Sequence, residues 1–216
     1  MARNKYPEET VKLIVDVATK LFTQKGYDST SLQDIINETK LSKGAIYHHF
    51  ASKEEIFEAI FNRIGEENAA ALAKIRDNKA LNGYEKLRAI FKAALFNPNQ
   101  NLMLTVTPDL LDNPRFLAMQ IRQIYDIVAP NFMQPILQQG IDDGSIKTEN
   151  PHELSEALMI LTNVWLNPLV RATDDSSMRN RCIVFNKLLQ GMGIDLLDDE
   201  MIAGYTNYCR TQQKPI

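Results

Sequence analysis

A short segment near the N-terminus, K-G-A-I-Y-H-H-F, places hydrogen-bond donors after a turn of very small residues. Lys43 can donate to the O6 and N7 atoms of guanine, and the methyl group of Ala45 can contact the methyl group of thymine. Gly44 costs about 1 kcal/mol of helix propensity relative to alanine, but it lets the backbone approach a bulky partner closely. The donors that suit phosphate groups are Tyr47, His48, His49 and Lys53. This order is typical of a helix that enters a DNA groove.

The adjacent histidines also allow a metal-binding or catalytic interpretation. On a helix, however, His48 and His49 point about 100° apart, and no cysteine or carboxylate stands near them at ligand spacing. Contact with DNA phosphates is therefore favoured, with ordinary surface histidines as the alternative. The chain has no G-x-S-x-G, no glycine-rich phosphate loop and no H-E-x-x-H motif. We expect no metal, no cofactor and no enzymatic activity.

Two longer helices flank this segment. Between Val11 and Phe22 the apolar residues follow the i, i+3, i+4 spacing of a helix with one buried face, and Gly26 stands just past its predicted end. On the other side, Ser52 and Glu55 form a predicted capping box, and apolar residues continue on one face as far as residue 64. These two helices are expected to support the shorter elements between them.

Two short helices joined by a tight turn lie between the longer ones. The first opens with one of two capping boxes, Thr30 with Gln33 or Ser31 with Asp34. Residues 39–41 leave room only for a tight turn before Ser42 caps the second helix. Two short helices joined in this way form a helix-turn-helix arrangement, in which the second helix can enter a major groove.

The remainder of the chain also has helical periodicity. The predicted helices cover residues 81–96, 100–112, 114–140, 151–167, 176–190 and 195–209. Pro130 and Pro135 are expected to kink or split the third of these. Asn113 and Asn150 precede prolines and are predicted caps, with Glu153 completing a box in the second case. Since no alternating run bounded by hairpin turns occurs, the sequence predicts an all-α protein.

The composition and charge set limits on function. The chain has 216 residues, of which 44% are hydrophobic and 24% charged, as in ordinary globular proteins. No apolar run is long enough to span a membrane, no apolar signal region begins the chain, and two cysteines form no disulfide framework, so we expect a cytoplasmic protein. The net charge of −3 argues against nucleic-acid binding at first sight. Residues 1–53, however, hold 8 basic against 6 acidic residues (+2), and residues 54–216 hold 16 against 21 (−5).

From Thr10 to Phe61 the sequence resembles the DNA-binding domain of the TetR/AcrR family of transcriptional regulators. The resemblance covers about a quarter of the chain and is most specific where Gly44, Tyr47, His49, Phe50 and Lys53 stand at the family's characteristic positions. It implies a helix-turn-helix DNA-binding domain over residues 1–53, with the motif at 31–50 and a linking helix from 53. It also implies a larger ligand-binding and dimerisation domain over residues 54–216, about nine helices in all.

The resemblance also identifies residues that contact DNA. These are Ser31, Gln33, Lys43, Gly44, Ala45, Tyr47, His48, His49 and Lys53. The chain departs from the family at Lys40, where glycine is frequent, and at Ile36, where alanine is frequent. The turn between the two short helices is therefore made without glycine, and we expect Lys40 to adopt a positive φ there. Arg3 and Lys5 form a possible minor-groove arm, with a frayed terminus as the alternative.

The C-terminal half offers candidates for a small-molecule pocket and for a dimer interface. Those for the pocket are Met103, Met119, Tyr125, Phe132, Met159, Asn163, Trp165 and Asn167, with ordinary core positions as the alternative. Those for the interface are Leu154, Leu158, Leu161, Ile183, Leu188 and Leu189, on helices that the family pairs between subunits. Cys182 and Cys209 are expected to be buried hydrophobes rather than redox sensors.

Together these features predict a homodimeric, ligand-responsive regulator that binds a palindromic DNA operator, most often as a repressor, and is released by a small-molecule effector of unknown identity. A helical small-molecule-binding or protein-interaction protein without DNA binding is the alternative. A helical enzyme or carrier that uses the C-terminal cavity is a third, more distant interpretation.

Overall fold

The structure, a computed structural model, describes residues 7–212, without the side chains of residues 98–101 and 210–212. The α-helices are α1 (Pro7–Lys25), α2 (Leu32–Thr39), α3 (Lys43–His49), α4 (Lys53–Arg76), α5 (Gly83–Leu95), α6 (Pro98–Val106), α7 (Pro114–Gln123), α8 (Gln134–Asp142), α9 (Pro151–Ile160), α10 (Asp175–Gln190) and α11 (Asp199–Gln212). Two π-helical segments are π1 (Ile124–Met133) and π2 (Leu161–Trp165). No strand occurs in the described part of the chain, and the predicted all-α class is confirmed.

The chain divides into two compact units. The N-terminal unit extends to Glu67 and also includes Thr105–Pro108, and the C-terminal unit comprises Asn68–Leu104 and the residues from Asp109 onward. The division therefore falls inside α4, beyond the boundary at residue 53 expected from the sequence.

A cluster of three aromatic rings lies in the core of the N-terminal unit. Phe22 of α1 lies 5.2 Å from the ring of Tyr27 and 6.5 Å from that of Phe57 on α4, centroid to centroid. The Tyr27 and Phe57 rings meet edge to face at 5.4 Å. Ile35 of α2 and Ile46 of α3 are fully buried in the same unit, so both short helices are anchored by an isoleucine. Edge-to-face pairs of this kind add about 0.5–1.5 kcal/mol to the burial of the rings.

The helix that begins at Pro114, which was expected to kink or split, changes its hydrogen-bond pattern and continues without a break in the helical backbone. The α-helical pattern stops at Gln123, continues as π1, and resumes at Gln134. Pro130 lies inside π1 and Pro135 in the first turn of α8. Proline has no N–H to donate, and the backbone around it takes up a different hydrogen-bond register.

Two helix boundaries differ from the predicted ones. α6 ends at Val106 rather than at residue 112, because Pro108 has no N–H to donate and disfavours helical backbone at Thr107. The carboxylate of Asp109 accepts hydrogen bonds from the N–H groups of Leu111 and Asp112 and holds the following segment in a turn. α11 begins at Asp199 rather than at residue 195, and Asp198 caps it by accepting from the N–H of Met201 at 2.9 Å.

The asparagines before Pro114 and Pro151 do not cap their helices as predicted. Both helices start at the proline, yet neither Asn113 nor Asn150 makes a side-chain cap bond, so the box with Glu153 is not formed either. Asn113 instead donates from Nδ2 to the carbonyl oxygen of Asp109. Its amide is therefore used to close the preceding turn.

Helix α5 packs closely against α8 in the C-terminal unit. A Cβ atom at Gly83 would lie 2.2 Å from the backbone nitrogen of Gly140, so the α5 and α8 backbones meet at a distance that only glycine allows. Buried Lys86 donates from Nζ to the carbonyl oxygen of Arg76 and to Oε1 of Gln139, each at 2.6 Å. These two acceptors satisfy an ammonium group that is otherwise costly to bury.

Candidate DNA-binding site

The start of α2 is held by a reciprocal capping box. The Ser31 hydroxyl accepts a hydrogen bond from the N–H of Asp34 at 3.1 Å, and the Asp34 carboxylate accepts from the N–H of Ser31 at 2.8 Å. Of the two boxes that the sequence allowed, the one formed is therefore Ser31 with Asp34. The Ser31 hydroxyl also donates to Asp34, and these hydrogen bonds lower the pKa of the Asp34 carboxyl below its usual value. The carboxylate thus stays ionised at the positive end of α2.

Lys40 reverses the chain between α2 and α3. It lies at φ 57° and ψ 18°, in the left-handed region, which confirms the positive φ expected where the family often has glycine. Ser42 then accepts a hydrogen bond from the N–H of Ala45 at 3.1 Å and caps α3 as predicted. The two short helices are thus fixed by one capped start each and by one left-handed residue between them.

Helix α3 has one anchored face and one open face. Ile46 and, just after the helix, Phe50 are buried. Lys43, Gly44, Tyr47 and His48 are exposed, and apart from its chain neighbours and the adjoining backbone of α3, nothing lies within 4 Å of the position that a Cβ on Gly44 would take. The Lys43 ammonium lies 5.5 Å from the centre of the Tyr47 ring. The open face therefore presents a cation, a phenol and an imidazole around a gap that side chains leave free.

The other predicted DNA contacts differ in how exposed they are. Ser31 and Gln33 are exposed, and Gln33 donates from Nε2 to Oδ1 of Asn37 at 2.9 Å. Ala45 and His49 are half-buried. The His48 and His49 rings meet edge to face at 5.0 Å. Among the residues whose structure is described, no cluster of three or more potential metal ligands occurs.

Lys53 has a structural role that the sequence did not indicate. Its Nζ donates to the carbonyl oxygen of Tyr27 at 2.7 Å and lies 4.1 Å from the centre of the Tyr27 ring. The Tyr27 hydroxyl in turn donates to Oε1 of Glu54 at 3.1 Å. Lys53 therefore ties the start of α4 to the loop after α1. A carbonyl acceptor 26 residues away leaves no spacing signal in the sequence.

Acidic residues near the motif are paired with lysines of α1. Lys20 donates to Glu38 at 2.8 Å, and Lys25 lies 3.6 Å from Asp34. The hydrogen bond from Lys20, together with its charge, lowers the pKa of Glu38 below its usual value. These pairs offset the acidic charge that would otherwise oppose the approach of a phosphate backbone.

In the C-terminal unit, the predicted ligand residues do not share one environment. Phe132 is buried and Tyr125 is exposed. The half-buried members are Met103, Met119, Met159, Asn163, Trp165 and Asn167. Asn163 donates from Nδ2 to the Met159 carbonyl, and Asn167 donates to the Asn163 carbonyl, so both amides already bond the helical backbone. None of the eight lines the one cavity described below.

The predicted interface residues likewise divide into two groups. Leu154, Leu158 and Leu189 are buried within the unit and serve its own core. Leu161 is half-buried. Ile183 and Leu188 of α10 remain exposed, together with Val184, which the sequence did not single out. Of the predicted interface residues, those that remain exposed therefore lie on the outer face of α10. The arm residues Arg3 and Lys5 lie outside the described residues.

Two capped short helices, a left-handed turn between them and an exposed face of donors on the second define a helix-turn-helix DNA-binding domain. Residues 14–60 match the model of the tetR family of bacterial regulatory proteins. The helix-turn-helix domain of this chain is therefore that of the tetR family, whose members are transcriptional regulators. No helix in the described part of the chain is long and apolar enough to cross a membrane.

Similar proteins extend this comparison beyond the motif. The transcriptional regulator YuxN of Bacillus subtilis is 32% identical over 116 residues, which cover 54% of this chain and 35% of YuxN. The transcriptional repressor AcnR of Corynebacterium glutamicum is 26% identical over 148 residues, 68% of this chain and 74% of AcnR. The chain thus spans about a third of the length of YuxN and about three quarters of AcnR.

The fold itself matches solved structures along nearly the whole chain. The crystal structure of a TetR-family transcriptional regulator from Pectobacterium atrosepticum is 19% identical, with a TM-score of 0.57. The alignment covers 97% of this chain and 93% of that protein. At this identity the comparison shows a shared fold.

Proposed function

We propose that this protein is a cytoplasmic repressor that binds a palindromic DNA operator as a homodimer and is released by a small-molecule effector. The observation that carries the proposal is the open face of α3. Lys43 and Tyr47 are exposed there beside Gly44, whose surroundings are empty, while Ile46 holds the helix from behind. A helix of this kind can enter the major groove with its first turn against the base edges.

The positions of the hydrogen-bond donors suggest which of them contact bases and which contact phosphates. Lys43, in the first turn, reads guanine, and the neighbouring Ala45 methyl contacts thymine. Tyr47 and His48, one turn later, donate to phosphate oxygens and fix the register of the helix on the duplex. Ser31 and Gln33, at the exposed start of α2, reach the adjoining backbone.

Homodimerisation is supported by the exposed apolar face of α10. Ile183, Val184 and Leu188 are 37%, 45% and 57% exposed, whereas Phe185 and Leu189 on the same helix are buried. An apolar face on a helix of a water-soluble protein is stabilised when a second copy covers it. Two recognition helices about one DNA turn apart then match a palindrome, and the second half-site multiplies the affinity of the first.

Repression is proposed by analogy with AcnR, which is named as a transcriptional repressor. The effector response is a population shift, in which a ligand bound by the C-terminal unit favours a state whose two α3 helices no longer match successive major grooves.

The charge of the N-terminal region makes a further part of the proposal. With 8 basic against 6 acidic residues in positions 1–53, bulk charge adds little to affinity. Binding then depends on specific contacts made by a dimer, and the affinity falls only gently with salt concentration, as for a few phosphate contacts per subunit.

The test is fluorescence anisotropy of the full chain with labelled DNA from both sides of its own coding region. A Lys43→Ala, Tyr47→Ala double variant should lose about 1–3 kcal/mol of binding free energy per subunit. A Lys79→Ala, Tyr125→Ala double variant removes the same two side-chain types from exposed positions outside the motif and should bind as the wild type does.

Two results would contradict the proposal. Absence of specific binding by the wild type to all of these fragments favours the alternative, a helical protein that contacts other proteins or small ligands without DNA. Equal losses in the two double variants show that the open face of α3 is not the contact surface. Circular dichroism and sedimentation of each variant establish that folding and dimerisation are unchanged.

A further inference from the structure

A cavity of about 430 Å³ lies in the C-terminal unit, where the connection after π2 meets the start of α10 and the end of α11. Its lining consists of Pro168, Arg171, Ala172, Thr173, Asp174, Ser177, Arg181 and Cys209. The volume lies within the range of pockets that bind small organic molecules. None of the residues predicted from sequence as ligand contacts takes part in it.

The lining carries two cations and one anion, and the anion is already bonded. Asp174 accepts from the N–H of Ser177 at 2.8 Å through Oδ1 and from the Ser177 hydroxyl at 3.0 Å through Oδ2. These hydrogen bonds, that of the Ser177 N–H first, lower the pKa of Asp174 below its usual value. The carboxylate is therefore ionised and fully occupied as the cap of α10, and Arg171 and Arg181 leave the lining with a net positive charge.

The two guanidinium groups are available to different extents. Arg181 is half-buried and donates from Nη1 to the carbonyl oxygen of Trp165 at 2.9 Å, which fixes its plane and leaves its other donors free for a ligand. Arg171 is exposed, and its side chain makes no ion pair or hydrogen bond with any other described residue. A rigid guanidinium and an unpaired one thus share one cavity.

The remaining wall is partly apolar. Pro168, Ala172 and Cys209 supply the apolar part, and Cys209 is only 2% exposed, whereas Thr173 and Ser177 contribute hydroxyl groups. Burial, with a smaller contribution from the negative charge of Asp175, raises the pKa of the Cys209 thiol. The group is therefore a neutral thiol rather than a thiolate nucleophile, and a molecule in the cavity is held non-covalently.

We propose that this cavity binds a small organic monoanion with an apolar body and one carboxylate. The carboxylate pairs with Arg171 and the free donors of Arg181, because a guanidinium group binds carboxylates through two parallel hydrogen bonds. The apolar body packs on Pro168, Ala172 and the Cys209 sulfur. A cation or a dianion is disfavoured, since the lining carries a single net positive charge.

The proposal is tested with 2-naphthoate and its neutral isostere 2-naphthamide, titrated calorimetrically into the full chain without DNA. Naphthoate should bind at least tenfold more tightly than naphthamide, since a charged hydrogen-bonded pair is lost in the amide. Binding of the two with equal affinity, or no binding of naphthoate, overturns the proposal.

Variants place the anion in this cavity rather than elsewhere. Arg171→Gln should weaken naphthoate binding about tenfold and leave naphthamide binding unchanged. Arg179→Gln removes an exposed arginine of the same helix as Arg181 that does not line the cavity, and should leave both affinities unchanged. Ala172→Trp, which fills the cavity without changing its charge, should abolish binding of both probes.

Equal weakening by Arg171→Gln and Arg179→Gln would show a general charge effect and refute the site, as would unchanged binding in Ala172→Trp. Melting temperatures of the three variants without ligand establish that they are folded. Because the titrations contain no DNA, their outcome is independent of the anisotropy experiment, and failure of one proposal is distinguishable from failure of the other.

Discussion

Replacement of Lys40 by glycine should stabilise the N-terminal unit, whereas the same replacement at Lys12 should destabilise it. Lys40 is held at φ 57° between α2 and α3. Lys12 is an exposed residue inside α1. The two substitutions remove the same side chain, so they differ only in the backbone conformation that glycine must adopt.

The magnitudes follow from the backbone. A residue with a Cβ in the left-handed region destabilises the folded state by about 1–2 kcal/mol. Glycine avoids this cost, but its larger conformational entropy in the unfolded chain lowers the gain by about 0.5–1 kcal/mol. Lys40→Gly should therefore stabilise by about 0.5–1 kcal/mol. Lys12→Gly should destabilise the protein by about 1 kcal/mol, because glycine has a lower helix propensity than lysine in a helix interior. Lys40→Val, with a β-branched side chain at positive φ, should destabilise.

Hydrogen exchange of the amides in α2 and α3 measures this effect locally. Trp165 lies in the C-terminal unit, so its fluorescence does not report on the N-terminal one. Protection of these amides should rise about two- to fivefold in Lys40→Gly and fall about fivefold in Lys12→Gly. A loss of protection in Lys40→Gly as large as in Lys12→Gly would refute the reasoning, since the left-handed position would then carry no strain for lysine.

Three further predictions concern packing and protonation. Gly83→Ala should destabilise the protein by about 1–3 kcal/mol, because the added Cβ would lie 2.2 Å from the Gly140 nitrogen. Urea unfolding followed by Trp165 fluorescence measures this loss. Gly191→Ala is the control, since its added Cβ has no such neighbour within 4 Å. Since hydrogen bonds from the N-cap serine lower the folded pKa of Asp34, its stabilisation is present above about pH 4 and is lost as the pH falls through the lowered pKa. Far-UV circular dichroism during acid titration should thus show a smaller pH dependence in Asp34→Asn, and identical curves would contradict this. Burial raises the pKa of the Cys182 thiol to about 12. The contribution of the neutral buried thiol to stability is therefore present below about pH 9 and is lost toward pH 12. Peptide mapping after thiol labelling at pH 8 should find Cys182 modified only in urea, and rapid labelling of the native protein would show that the group is not buried.

Part of the site was predictable because its contacts are local. The box at Ser31 and the cap at Ser42 join residues three positions apart, and the tight turn was expected from the length left between the two helices. The positive φ of Lys40 was expected because the resembled family often has glycine at this position. The same holds for the change of helix type around Pro130, where the missing N–H belongs to the residue itself. The end of α6 at Val106 was not predicted, although Pro108 is a local signal for it, because the apolar residues on both sides continue a helical periodicity.

Contacts between distant residues were not predictable in the same way. Lys53 carries the spacing of a DNA contact, yet its ammonium is bonded to the Tyr27 carbonyl. Leu158 and Leu189 have the periodicity of an interface and are buried within the unit, because an apolar stripe indicates that a helix face is covered without indicating by what. Which of the α10 residues stay exposed was decided by the packing of α10 against α11.

The sequence by itself therefore determined the helical class, the positions of the two short helices and the order of donors on α3, since these depend on hydrogen bonds and periodicities within a few residues. Only the tertiary structure decided which donors are open and where a cavity forms. Arg171 and Cys209 meet in one cavity because α11 packs against α10, and no local pattern encodes that distance.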